Sequence, residues 1–233
     1  MNVLVACEES QRVCSAFRAK GHNAFSCDLL PCSGGFPEYH IQQNVLSILN
    51  PERFIGICFN TCDGEFHRFD KWDLIIAFPP CTYLTVTGNR WFNVSRYGDS
   101  ALARLKEREK AIDFFMQFVN ARCDRIAIEN PIGVMSSRFR KPDQIVHPYQ
   151  FAFSDAERYV KSTCLWLKNL SSLQPLHTQK PDIKYHNWID SNGRVKRQAQ
   201  WYYNTRCLPY SQRSLIASKT PYGLAEAMAE QWG

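Results

Sequence analysis

Two stretches set reactive side chains against proline stops: "IAFPPCTYL" at 76–84 and "RIAIENPIG" at 125–133. Pro79 and Pro80 lack backbone N–H groups and cannot continue a central ladder, so the apolar run "WDLIIAF" must end there. Cys81 is then held on stiff backbone at the strand's carboxyl edge. Pro131 stops "RIAIEN" in the same way and leaves Glu129 and Asn130 at an edge. A thiolate is a soft nucleophile, and a nearby carboxylic acid can donate a proton or hydrogen-bond a ring nitrogen. Such a pair can activate a pyrimidine: sulfur adds at C6, the acid supports N3, and C5 becomes carbanion-like and attacks an electrophile. Because the thiolate is the attacking form, Cys81 is expected to have its pKa lowered by positive charge or a helix N-terminus.

The elements that must position these residues alternate. "NVLVAC" (2–7) reads as a short strand, "EESQRVCSAFRAKG" as a helix closed by Gly21, and "HNAFSCD" as a second strand ending at Asp28. That is a βαβ opening, which implies a parallel sheet with right-handed crossovers. A less regular stretch containing "FPEYHIQQNVLSIL" precedes the strand that ends at Cys81. From Ala101 to Val119, Ala101, Leu105, Ile112, Phe115, Met116 and Val119 form one helical stripe. "RIAIEN" and "TCLWLKNL" read as further strands and "YGLAEAMAEQW" as a final helix. The expected fold class is α/β, a mostly parallel sheet with helices on both faces. In such sheets ligands bind at the carboxyl edge, where Asp28, Cys81 and Glu129 all fall.

At 233 residues with 45% hydrophobic content, the chain is long enough for one domain with a real core. No apolar run approaches a membrane span, and "MNVLVACEES" lacks a basic leader with a cleavage site, so the expectation is a cytoplasmic protein with no membrane partner. The ten cysteines sit largely inside apolar runs and read as free thiols rather than a disulfide framework. Cys58, Cys62 and His67 in "CFNTCDGEFH" lack zinc-ligand spacing, and the "DG" within it reads as a hairpin turn, so no metal is expected. The net charge is +6, with the excess toward the C-terminal third. From His177 to Arg213 seven cations (Lys180, Lys184, Arg194, Lys196, Arg197, Arg206 and Arg213) face Asp182 and Asp190. Tyr185, Trp188, Trp201, Tyr202 and Tyr203 are interleaved, a composition shared by nucleic-acid contacts and by solvated basic loops. Residues 171–210, rich in Pro and Asn, read as the irregular part.

"PPC" at 79–81 followed by "ENP" at 129–131 resembles the two catalytic strand-end motifs of the cytosine-5 DNA methyltransferases, PPC and ENV, in the same order. "RAKGHNAFSCDLLP", "WDLIIAFPPCTYL", "IAIENPIG", "STCLWLKNL" and "GLAEAMAEQWG" resemble a family of compact, often phage-encoded proteins of that type. The resemblance covers most of the chain and implies a single Rossmann-like methyltransferase domain over 1–233, S-adenosylmethionine as methyl donor, and a base flipped out of DNA. It implies location in the cytoplasm of the host cell where the gene is phage-borne. By this carry-over Cys81 is the nucleophile, Glu129 engages cytosine N3, and Pro80, Thr82 and Asn130 shape the substrate loops. Asp28 would hold the cofactor ribose and Asn44 meet the adenine, with Glu8, Ser10 and Pro79 beside the cofactor.

The sequence departs from the family's pattern at definite places. The Phe-x-Gly-x-Gly turn is replaced by "ACEESQRV", and Thr82 stands where Gln usually follows PPC. The Gln-x-Arg-x-Arg motif is absent as such, with Arg158 or Lys161 of "ERYVKST" standing in. The target-recognition element is reduced to roughly 171–210, where Lys196, Arg197, Arg206 and, just beyond, Arg213 are the expected DNA contacts. Two other classes stay open: a thymidylate-synthase-like enzyme acting on free dCMP, suggested by "QRS" at 212–214, and a degenerate fold that binds nucleic acid without turnover. The sequence leaves oligomeric state undetermined.

Overall fold

The computed structural model describes residues 1–50 and 56–233. The first half runs β1 (Asn2–Ala6), α1 (Arg12–Ala19), β2 (Asn23–Asp28), β3 (His40–Gln42), α2 (Leu46–Leu49), β4 (Ile57–Asn60), β5 (Phe66–Phe69) and β6 (Leu74–Ala77). The second runs α3 (Val94–Val119), β7 (Ile126–Pro131), α4 (Met135–Arg138), β8 (Gln144–Val146), β9 (Thr163–Lys168), β10 (Tyr185–Ile189) and β11 (Val195–Ala199). Three helices close the chain: α5 (Gln200–Tyr203), α6 (Tyr210–Ser218) and α7 (Tyr222–Trp232).

Seven strands form one sheet in the order β3-β2-β1-β6-β7-β9-β8. The first five are parallel, and β9 runs antiparallel to both β7 and β8. The chain builds outward from β1 to β2 and β3, then returns to lay β6 on the other flank of β1. The carboxyl ends of β1 and β6 therefore border the point where the strand order reverses, the crevice in which open α/β sheets bind ligands.

Alternation along the strands fills both faces. Val3 and Val5 of β1 pack with Phe17 of α1 and Leu224, Met228 and Trp232 of α7. Leu4 and Ala6 point the other way, toward Phe115 and Phe118 of α3 and Trp166 of β9. Phe115 meets Trp166 edge-on at 5.2 Å, and each such fully buried side chain contributes about 1.5–3 kcal/mol. The helix expected over Ala101–Val119 is present and extends back to Val94, broken at Gly98, whose φ of 50° leaves the helical region.

The "DG" turn closes a β4–β5 hairpin, with Thr61 N–H donating to the Glu65 carbonyl at 3.0 Å. His67 stacks on Phe59 at 5.3 Å within a cluster that includes Phe25 and Trp72. Among the described residues no group of His, Cys, Asp and Glu could hold a metal ion, and no helix is long and apolar enough to cross a membrane.

The stretch expected to be irregular at 171–210 contains regular structure: β10 and β11 pair as an antiparallel hairpin, turned at Gly193 with φ 71°. Alternate aromatic residues on β10 stabilise it, with His186 stacked on Tyr203 of α5 and Trp188 near the same ring.

Candidate active site

The two proline-stopped strands lie side by side, Ala77 of β6 registering with Ile128 of β7. The loop after β6 runs through half-buried Phe78, buried Pro79 and exposed Pro80 to Cys81, whose carbonyl accepts from Leu84 N–H at 2.9 Å and Thr85 N–H at 3.0 Å. Cys81 therefore opens a tight turn. The wholly buried side chain of Asn130 donates from Nδ2 to the Pro79 carbonyl at 2.7 Å, tying the two motifs together. Its Oδ1 is buried without a partner.

A second tie lies just downstream. Val86 N–H donates to the Ile132 carbonyl at 3.2 Å and Val134 N–H to that of Leu84 at 2.8 Å, bracketing a bridge between Thr85 and Gly133. A β-carbon on Gly133 would lie 2.1 Å from the Leu84 carbonyl oxygen, so only glycine permits this approach. From the helix side, Arg108 of α3 donates to the Tyr83 carbonyl and to Asn89 Oδ1, both at 2.9 Å.

Cys81, Glu129 and Lys161 feel one another. The Cys81 residue is solvent-exposed, yet packing around its thiol raises the pKa above the ordinary value; the Glu129 charge pushes it the same way, while Lys161 and a backbone hydrogen bond draw it down. The expected lowering does not occur, because desolvation and a neighbouring carboxylate together outweigh the cation and the backbone hydrogen bond. Burial likewise pushes the Glu129 carboxyl up against the pull of Lys161, which favours its protonated form. Lys161 also donates to the Ala217 carbonyl at 2.6 Å, fixing α6 beside the site. Arg158 is exposed three residues earlier, and among the described residues neither its side chain nor that of exposed Thr82 makes a hydrogen bond, ion pair or ring contact. Of the two stand-in cations, the structure brings Lys161 to the site.

The glycine-less first loop solves its turn by other means. Cys7 (φ 59°) and Gln11 (φ 57°) take left-handed conformations, at a cost of about 1–2 kcal/mol each. Gln11 offsets its share with two hydrogen bonds to the Phe36 backbone, at 2.7 and 3.1 Å. Buried Glu8 accepts from the N–H groups of Val13 at 2.7 Å and Cys14 at 3.2 Å, capping α1, and Ser10 Oγ reaches it at 3.5 Å. Desolvation raises the Glu8 pKa to about 7 in spite of those bonds. Glu9 bonds Ser33 and lies 3.9 Å from Lys219.

Asp28 ends β2, half-buried, with Oδ1 accepting from Leu30 N–H at 2.9 Å. The register of Asp28 with Gln42 places Asn44 two residues beyond the same edge, where its exposed side chain caps its own turn at Leu46. Acids thus gather along the β1–β2 edge while the thiol stands at the end of β6.

The expected DNA contacts lie on the hairpin side. Arg197 covers the Tyr185 ring at 4.9 Å, Arg206 lies over Trp188 at 5.1 Å and Tyr203 at 5.4 Å, and Lys196 pairs with Asp190 at 3.7 Å. Arg213 lies on α6. Trp201 packs on Tyr159 at 4.4 Å and so joins this lobe to the segment that carries Lys161. Sequence reasoning missed Gly133 as the residue that lets the two loops meet, although the "PIG" after a strand end was a signal of close backbone approach. No protein-family model matches the chain, and no curated protein matches it.

Proposed function

We propose that the protein transfers a methyl group from S-adenosylmethionine to C5 of cytosine in DNA through a covalent adduct on Cys81, within a Rossmann-like methyltransferase fold. The observation that carries this reading is the coupling of Cys81 with Glu129 across two strand ends whose loops are tied by Asn130 and Pro79.

The β1–β6 crevice suits such a cofactor by charge. Glu8 fills the N-terminus of α1 with the chain's own carboxylate, the place where a dinucleotide's phosphates would sit, so a polyanionic cofactor is disfavoured. A sulfonium with an ammonium group meets acids of the opposite sign, with Asp28 keeping one carboxylate oxygen for the ribose and Asn44 and Pro79 at the flanks. Bound there, S-adenosylmethionine would supply an electrophilic methyl group.

The chain's residues supply the rest. After its proton passes to solvent, the Cys81 sulfur bonds to C6 of the flipped cytosine as Glu129, whose carboxyl burial shifts toward the protonated form, gives a proton to N3. The electron pair freed at C5 would take the methyl group as its bond to the sulfonium sulfur breaks, with S-adenosylhomocysteine as the leaving group. The C5 proton then passes to solvent, Glu129 recovers the N3 proton, and the C6–sulfur bond breaks to return the thiolate. Lys161 stabilises that thiolate, and Asn130 with Pro79 fixes the turn that carries it.

A 5-fluorocytosine oligonucleotide tests this directly, because fluorine cannot leave C5 as a proton does. Incubated with S-adenosylmethionine, the wild-type chain should form a denaturant-resistant complex with it and Cys81→Ala should not. No complex with either would refute the covalent mechanism.

A further inference from the structure

We infer that the segment from Tyr83 to Arg108 is a nucleic-acid surface of its own, and that it takes DNA in single-stranded form by stacking unpaired bases. The inference rests on the reading of DNA as substrate and deepens it by naming the form of DNA bound.

The segment follows the Cys81 turn and holds five cations against two acids. Trp91 is 41% exposed and packs on Tyr97 at 5.0 Å, outside both hydrophobic cores. Arg90 lies over the Trp91 ring at 4.5 Å and Arg96 over that of Tyr97 at 5.4 Å. Behind them Arg108 covers Phe92 at 3.3 Å, anchoring the segment to α3. Among the described residues neither Arg90 nor Arg96 forms an ion pair, and both are exposed. Their charge is left for a partner.

That partner is told apart by the rings. An acidic protein would reward the arginines alone, and so would duplex DNA, which shows phosphates outside and keeps its ring faces stacked. A single strand offers phosphates to guanidinium groups and bare bases to indole, phenol and guanidinium planes, so it alone uses every exposed group of the patch. The hairpin lobe repeats the pattern with Arg206 over Trp188 and Tyr203. The two patches are joined to the Cys81 turn from different sides, one through the Thr85–Gly133 bridge and the other through Lys161 and Ala217.

The test is fluorescence anisotropy of the full chain with a labelled mixed-sequence strand of about 20 nucleotides, its duplex, and polyglutamate. The single strand should bind at least about fivefold more tightly than the duplex. Trp91→Ala should weaken single-strand binding by about fivefold or more and barely change duplex binding, and Trp91→Phe should restore it. Arg90→Ala should lower the slope of log affinity against log salt by about 0.7, a readout independent of the ring. Equal or tighter duplex binding, polyglutamate binding as tight as the strand, or folded Trp91→Ala and Arg90→Ala variants both matching wild type would overturn the inference. Binding needs no turnover, so single-strand preference without a methylated product would sink the catalytic reading alone, and duplex methylation without that preference would sink this one alone.

Discussion

Asn130, at the end of β7, donates its side-chain amide to the Pro79 carbonyl at 2.7 Å, wholly buried, across 51 residues of chain. That bond turns two separate proline stops into one rigid edge, with the Cys81 thiol on the loop after β6 and the Glu129 carboxyl near the end of β7. Asn130→Ala leaves a buried carbonyl unpaired, which costs about 1–3 kcal/mol. The expected outcome is a lower denaturant midpoint together with slower trapping on 5-fluorocytosine DNA, the second effect exceeding what loss of folded protein explains. Unchanged midpoint and trapping rate would show the bond to be idle.

The thiol of Cys81 lies above the ordinary thiol range because of burial first and the Glu129 charge second, with Lys161 opposing both. Alkylation of the Cys81 peptide, followed by mass spectrometry against pH, should therefore show a midpoint above that of a free thiol. Glu129→Gln should move it down and Lys161→Met up, because each removes one charge whose sign is known. Glu129→Gln should also cost turnover about 100- to 10,000-fold, the loss expected when a general acid is removed. A midpoint that rises in Glu129→Gln would mean that the two groups are not coupled as described.

Glu8 makes stability depend on pH. Its folded pKa of about 7 lies above the unfolded carboxyl value of about 4.3. Between those values the folded state keeps a proton that the unfolded state has lost, so stability falls as pH rises through the window and levels off above it. The full effect is roughly 4 kcal/mol at 1.36 kcal/mol per unit. Glu8→Gln should remove that slope and be more stable than wild type at pH 8, since the neutral amide can still cap α1. Denaturation at pH 5 and pH 8 decides it, and a Gln variant that keeps the slope would count against the assignment.

Much of this architecture was legible in the sequence. The apolar runs within the central strands (β1, β2, β6, β7) and the striped helix α3 announce themselves because burial on both faces or on one stripe dictates residue type. The three-residue edge strands β3 and β8 did not, since they are too short to carry a period. The reversed direction of β9 is fixed by its connection and leaves no mark on composition. The β10–β11 hairpin was missed although Asn192-Gly193 between "YHNWI" and "VKRQA" is a turn signal. At the site, residue types named Cys81 and Glu129. That Glu8 caps α1, and that the thiol lies above rather than below its usual range, depend on packing in three dimensions.

Gly133 tests the second tie. Gly133→Ala drives a β-carbon to 2.1 Å from the Leu84 carbonyl oxygen, whereas Gly88→Ala meets nothing nearer than Arg104 at 3.7 Å. The first should destabilise by at least about 1–3 kcal/mol and blunt Cys81 trapping. The second should do neither. Equal urea midpoints for the two variants would refute the close approach of these loops.

The central claim is methyl transfer to C5 through Cys81. The most direct measurement is nucleoside mass spectrometry of unmethylated genomic DNA, offered both native and heat-denatured, after incubation with the purified chain and S-adenosylmethionine. Genomic DNA contains nearly every short target, so the recognition sequence need not be known. The prediction is 5-methyldeoxycytidine with the wild-type chain and none with Cys81→Ala. Product from Cys81→Ala at the wild-type level, or no modified cytosine from the folded wild-type chain, would contradict it.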